Sequence, residues 1–483
     1  MGNPFHEFMR NDYEKWEDLT HMSEIRNGHI VSVTFGEYIR NVNYLSAYLI
    51  EKGYKGANIG IYSPNSIAWM TIDAAVMTYV GLSVGISKDW KADELDDAIG
   101  RFDINLVFYS IELKDPVDLV GKKYGNVRFI CIEEEFADIL LEGKALRKDL
   151  FGIEPKDPDL PAKMVFTSGT TSYPKGVMLS VNNMFASYEG LGLRAHLTES
   201  DVCYLFLPLN HTYATVFNYL YSFVFGYSIC LAHDMHNMAN EMGLYGPTAF
   251  CAVPVVFKRF IDASRSLNVP LKDLLGGHMR YVFSGGAALP LEIRKAFSDE
   301  GICIMNSYGL SETASAFSID YPDVTDPDSS GKVMETIDAK VLDPGPDGYG
   351  ELALKGRNVF KGYYGDPGAT ERAFTEDGYF RTGDIGTIKD GTVYVRGRKD
   401  TMITLGNGEN VASEKIASRV KALSPLISSV KVYVRDGLLS CDIYTDSDLT
   451  SDIDDLIEGL NDALPNYERI RKYNVKDRGG LLK

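Results

Sequence analysis

The sequence predicts an α/β protein: a large N-terminal domain of helix-covered, mostly parallel sheets that carries a β-rich subdomain, then a small α+β domain. Three observations predict it. The 483 residues exceed what one ordinary core holds, so two or three domains are expected. From about residue 35, helix-period and strand-like runs alternate, the pattern of a parallel sheet covered by helices. Near residue 330 and again near 400, that rhythm gives way to other textures.

The elements follow in order. "FGEYIRNVNYLSAYLIEKG" spaces its apolar residues as a helix and stops at Gly53. "NIGIYS" reads as a strand, "SIAWMTIDAAVMTYVG" as a helix apolar nearly all round and therefore buried, and "LSVGIS" as the next strand. The alternation recurs through "MRYVFSGG" and "PLEIRKAFSDEGICIMNSYG". Val202 to Ala232 lacks Asp, Glu, Lys and Arg over about the length of a membrane span. Its Pro208, Asn210, His211, Asn218 and Gly226 instead predict a strand, a loop, a buried helix and a second strand. From about 330 to 400, short runs broken by Gly, Pro and Asp predict antiparallel strands and tight turns. Beyond lie a helix over Val411 to Leu423, a hairpin about Asp436-Gly437 and the acidic helix "DIDDLIEGLNDAL". The expected domains are therefore 1–399 and 400–483.

Hydrophobic residues make up 45% and charged residues 24%, the composition of a soluble globular protein, and a cytoplasmic location is expected. The net charge of −18 argues against a nucleic-acid or anionic-membrane partner, since both need a basic field. Six cysteines lie far apart with no CxxC pair, which speaks for reduced thiols rather than a disulfide framework or a zinc site. His233 and His236 in "HDMH" read as loop residues, not as a metal pair. The start, "MGNPFHEFMRND", has no apolar signal core.

One stretch points to chemistry. "FTSGTTSYPKGV" (166–177) concentrates glycines, hydroxyls and one lysine after a short apolar run. Glycines let backbone N–H groups face a ligand, hydroxyls add donors, and Lys175 adds a point charge: together, a cradle for phosphate oxygens. It is not a Walker A loop, because Gly176 follows Lys175 where Ser or Thr is required, and "VMLS" alternates like a strand.

That stretch resembles the phosphate loop of the adenylate-forming superfamily, which includes acyl-CoA synthetases, luciferases and peptide-synthetase adenylation domains. "SGGAALP" (284–290), "NSYGLSET" (306–313), "YFRTGDIG" (379–386), "RGRKDTMI" (396–403) and "GNGENVASEKI" (406–416) resemble further motifs of that family, in its order and spacing. The resemblance implies ATP-dependent activation of a carboxylic acid to an acyl-adenylate, followed by transfer to a thiol. Coenzyme A is the expected acceptor and a carrier protein the alternative; Mg2+ is the expected metal. It also implies roles. Thr167, Ser168, Gly169, Thr170, Thr171 and Lys175 resemble the residues that hold the β- and γ-phosphates. Tyr308 resembles the residue that stacks on adenine, with Gly285, Gly286, Ala287, Asn306 and Gly309 beside it. Ser311 would meet the α-phosphate and Glu312 would hold Mg2+. Asp384 and Arg398 would bind the ribose, and Asp400 sits at the family's hinge.

"LPLNHTYA" (207–214) resembles the segment beside the acyl pocket, with His211, Tyr213 and Gly309 as candidate substrate contacts and His211 orienting the carboxylate. Amino-acid-activating members place an Asp there to meet the substrate ammonium. This chain has no acidic residue from Val202 to Ala232, so a fatty or other apolar acid is expected. Family members end with a catalytic Lys in a Gly-Lys pair; "GGLLK" matches only the beginning of that motif. Two alternatives stand on the sequence: an active acid–thiol ligase, or a catalytically weakened nucleotide-binding member of the same fold.

Overall fold

A computed structural model describes the chain except for Met1, Lys148, 168–173, Ala288, Asp323, Thr325, Pro327, 406–409, Pro425, Asp436, 446–452, Ala463 and 478–483. Chain contacts divide it into two units. The first runs to Ala339 and adds Leu354–Phe380 and Asp390–Val393; the second takes Lys340–Ala353, Arg381–Lys389 and the chain from Tyr394.

The first unit holds a seven-stranded sheet. Strand Asn58–Tyr62 lies between Leu82–Ile86 and Ile104–Tyr109, both parallel to it. Beyond Leu82–Ile86 come Pro161–Thr167, Lys175–Ser180 and the short Gly362–Tyr363, the last two pairings antiparallel. The alternation of helix and strand read from the sequence makes this sheet. Val84, Val107, Ile99 and Phe102 form its core against the covering helices. A second run of strands contains the parallel set Ser228–Leu231, Val202–Leu205, Ala249–Ala252, Tyr281–Ser284 and Cys303–Leu310. Phe250, Phe257, Val282 and Phe297 pack against it. The uncharged stretch resolves into strand Val202–Leu205, a π-helical turn Tyr213–Leu220, helix Ser222–Phe225 and strand Ser228–Leu231. No described helix is long and apolar enough to cross a membrane.

One polar feature is built into this core. Lys163, on strand Pro161–Thr167, and Asp73, on helix Ile67–Ala75, form an ion pair at 2.9 Å with no solvent exposure on either side chain. Ser83 donates to the same carboxylate oxygen, and the Lys163 ammonium stands 4.6 Å over the Trp69 ring. Burial pulls the Lys163 pKa down and the Asp73 charge pulls it back up. The pair ties a helix to the strand that leads into the phosphate-loop segment.

The neighbouring strands Gly350–Gly356 and Phe380–Lys389 give residues 350–353 and 381–389 to the second unit. Ile427–Arg435 and Leu438–Thr445 form the expected hairpin, and Lys472–Asp477 adds a third strand parallel to Leu438–Thr445. Helices Ser413–Lys421 and Ile453–Asp462 cover it through Ile416, Val420 and Ile457. The helix expected from Val411 starts only at Ser413. Val411 and Ala412 instead pair with Ile403 and Met402, a ladder that local periodicity does not show.

Candidate functional site

The phosphate-loop segment joins two antiparallel strands. Strand Pro161–Thr167 runs antiparallel to Lys175–Ser180, so Thr167 and Lys175 face each other at the end where the connecting loop leaves the strands. Ser168, Gly169, Thr170 and Thr171 lie outside the described residues.

Strand Cys303–Leu310 brings the next candidates. Tyr308 is half-buried, with its ring edge-on to Phe317 at 4.9 Å. The strand turns back through Ser311–Thr313 into Ser315–Ile319. This turn is strained: Ala314 and Ser315 have φ of 50° and 93°, and a Cβ on Gly309 would lie 1.8 Å from the Ser315 carbonyl oxygen. Side chains with positive φ are held only where their surroundings over-determine them, and such positions cluster at functional sites. The Thr313 hydroxyl ties the turn from inside, lying 2.8 Å from the Leu310 amide and 2.7 Å from the Ser315 carbonyl. Ser311 and Glu312 sit half-buried at its tip.

A neighbouring segment holds the turn from outside. Phe360 N–H donates to the Glu312 carbonyl at 2.8 Å, and Asn358 Nδ2 donates to the Thr313 carbonyl at 3.2 Å. The Tyr363 hydroxyl donates to Glu312 Oε1 at 2.9 Å, while its ring lies 4.8 Å from the Lys175 ammonium. Lys175 and Glu312, chosen from separate motifs, thus meet on opposite parts of one tyrosine. Sequence reading missed Tyr363; its only signal is the "GYYGDPG" turn (362–368) ahead of helix Pro367–Arg372.

Gly285 follows strand Tyr281–Ser284, where a Cβ would come within 3.1 Å of both the Tyr213 ring and Ser307 Oγ. A side chain there would push on both neighbours. Gly286 and Ala287 are exposed. The Tyr213 hydroxyl is desolvated by burial, and Phe217, Tyr221 and Phe283 continue an aromatic cluster from the ring, at 5.6 Å from Tyr213 to Phe217. Asn65 holds the start of the segment by bonding the Leu207 carbonyl and the Leu209 amide. His211 keeps exposed surface, yet partial desolvation lowers its pKa, which favours the neutral ring. Asn306 Nδ2 donates to the Ser329 carbonyl at 2.8 Å.

The second unit gathers the remaining candidates. Asp384 is buried, with Oδ1 3.5 Å from Arg398 Nη1, and Arg398 Nε is 3.6 Å from Asp400 Oδ1. Arg398 also donates to the Thr382 carbonyl at 2.9 Å, and the Asp384 amide donates to the Thr382 hydroxyl at 3.0 Å. Asp384, Arg398 and Asp400 therefore form one charged group. Asp400 lies in the single turn Lys399–Thr401.

The model of the AMP-binding enzyme family matches residues 10–364. The chain belongs to that family. This AMP-binding enzyme is 25% identical to fatty acyl-CoA synthetase A of Dictyostelium discoideum over 85% of its own length and 71% of the relative's. It is 29% identical to sulfoacetate–CoA ligase of Cupriavidus necator, over 87% and 83% of the two chains. Its fold is that of ATP-bound MatB from Rhodopseudomonas palustris, with a TM-score of 0.81 at 22% identity, covering 99% of this chain and 95% of that one.

The donor set of this AMP-binding enzyme suits Mg2+. Glu312 offers a hard carboxylate fixed by a neutral phenol, and Mg2+ takes one or two carboxylates together with substrate phosphates. No cluster of three or more His, Cys, Asp or Glu that could hold a metal alone occurs among the described residues.

Proposed function

We propose that this protein activates an apolar carboxylic acid, fatty or aryl, with ATP and passes the acyl group to the thiol of coenzyme A. A carboxylate oxygen attacks the α-phosphorus and pyrophosphate leaves. The thiol sulfur then attacks the acyl carbon, gives up its proton, and AMP leaves. The observation that carries the reading is the meeting of Lys175 and Glu312 on Tyr363, beside the strained turn that bears Ser311. The first step gathers negative charge, so donors and a cation must be aimed at one place.

In this reading Lys175 faces the departing phosphates, Ser311 the α-phosphate, and Tyr308 the adenine along the Gly285–Ala287 loop. Glu312 holds Mg2+, which neutralises phosphate charge. Asp384 accepts from the ribose hydroxyls with Arg398 beside it, and a neutral His211 orients the acid. The name of the fatty acyl-CoA synthetase relative supports the acid, and both relatives' names support coenzyme A as the acceptor.

The uncharged segment and its aromatic cluster support an apolar acid. Apolar acids are expected to release pyrophosphate at least about 100-fold faster than α-amino acids of similar bulk, since a buried unpaired ammonium costs about 3 kcal/mol. Pyrophosphate release over a panel of fatty, aryl and amino acids, with and without coenzyme A, checks this. Preferential turnover of an amino acid would overturn the substrate class, and acyl transfer only to a carrier protein would overturn the acceptor.

Asp400 is the proposed pivot between the two half-reactions. Asp400→Pro sets φ near −65° and is expected to leave one half-reaction while the other falls about tenfold or more. Each is measured alone: ATP with acid, and preformed acyl-adenylate with coenzyme A. Equal loss of both rates, with an unchanged thermal melt, would remove Asp400 as pivot.

A further inference from the structure

We propose that Tyr363 is a positioning residue that keeps the phosphate lysine and the metal carboxylate apart and separately available. The proposal rests on the roles given above to Lys175 and Glu312. Two opposite charges on neighbouring elements of one site invite a direct ion pair, which would neutralise the two groups that must meet opposite charges on Mg2+-ATP. Among the described residues, no ion pair joins Lys175 to Glu312. Tyr363 stands between them instead, with its hydroxyl on Glu312 Oε1 at 2.9 Å and its ring face 4.8 Å from the Lys175 ammonium.

The chemistry of phenol suits this position. Its O–H donates to the carboxylate and orients it without cancelling its charge, so the anion stays available to a cation. Its ring face holds the ammonium by a weak attraction that a phosphate oxygen can replace. A lysine or arginine at the same place would quench Glu312, and an aliphatic residue would hold neither group.

The backbone fixes the ring where it must be. Gly362 and Tyr363 pair with Met178 and Val177, on the strand that begins at Lys175. Tyr364 N–H donates to the Gly176 carbonyl at 2.8 Å, and Tyr363 N–H donates to Thr370 Oγ1 at 2.9 Å. Three residues earlier, Phe360 N–H holds the Glu312 carbonyl, and the Phe360 ring packs on Tyr363 at 4.9 Å. One short segment is thus bonded to the strand of Lys175 and to the turn of Glu312.

The test uses the full-length protein and calorimetric ATP binding across a Mg2+ titration, with metal-free AMP binding and a thermal melt beside it. Tyr363→Phe keeps the ring and loses the O–H. It is expected to raise the Mg2+ concentration for half-maximal ATP binding about tenfold, the worth of one charge-assisted hydrogen bond, and to leave AMP affinity and the melt unchanged. Tyr363→Leu is expected to weaken ATP binding further, even at saturating Mg2+, because Lys175 then falls onto Glu312. Glu312→Gln should shift the Mg2+ requirement at least as far as Tyr363→Phe. An unchanged Mg2+ requirement in Tyr363→Phe, where Glu312→Gln moves it, overturns the role of Tyr363 alone. An unchanged requirement in Glu312→Gln overturns the metal reading itself and this proposal with it. Loss of AMP affinity and of melting temperature in Tyr363→Phe would mark a structural role and also overturn the proposal.

Discussion

Asp384→Ala is expected to weaken AMP binding about 100-fold and ATP binding by the same factor. The carboxylate is buried beside Arg398 and its backbone is pinned through Thr382, so it is a fixed acceptor pair. Two hydrogen bonds from ribose hydroxyls to an ionised carboxylate are worth about 1.5 kcal/mol each. The ribose is common to both nucleotides, so both affinities fall together. Lys175→Ala is the contrast: it faces only phosphates that AMP lacks, so ATP binding weakens and AMP binding does not. Calorimetry with both nucleotides separates the two roles. Wild-type AMP affinity in Asp384→Ala would remove the ribose assignment.

Asp73→Ala is expected to lower the stability of the first unit by about 3–5 kcal/mol, because it strands a fully buried ammonium. The loss should be read as an earlier urea transition. Asp73→Leu with Lys163→Met should recover most of it, since an apolar pair of similar volume has no charge to desolvate. The single variant should also become pH-sensitive. Burial already depresses the Lys163 pKa, and the substitution removes the charge that opposes it. The unfolded chain then binds the proton more tightly, so stability rises with pH between the lowered folded pKa and the unfolded value near about 10.4. A change below about 1 kcal/mol, or no pH slope, would refute the account. Because Lys163 and Thr167 share one strand, ATP binding should weaken in the variant as well.

Much of this was legible in the residues. The alternation from 35 onward made a sheet because a parallel strand buried on both faces must be a short apolar run, and its crossover helix must show one apolar stripe. The glycine- and hydroxyl-rich turn between two strands carried its own chemistry. Other parts were legible but unread. Asn3-Pro4 caps helix Pro4–Trp16, with the Asn3 side chain accepting from the Phe5 amide at 3.1 Å. Asn27-Gly28, with φ of 49° and 77°, turns the hairpin Thr20–Arg26/His29–Thr34, the turn that Asn-Gly favours.

By itself, then, the sequence determined the fold class, the order of elements and the residue types able to hold a nucleotide, because periodicity, turn chemistry and motif spacing are local properties of the chain. Tertiary structure alone decided which of those residues meet. Tyr363 touches Glu312 across 51 positions, and neither residue's neighbours in the chain signal the other. Asn306 Nδ2 donates to the carbonyl of Ser329, 23 positions along the chain, a partner that its own motif does not signal. Val411 joined a strand rather than a helix because the partner at Ile403 outweighed its local pattern. In each case the deciding interaction is a hydrogen bond or packing contact between distant segments, and its free energy exists only once the chain has folded.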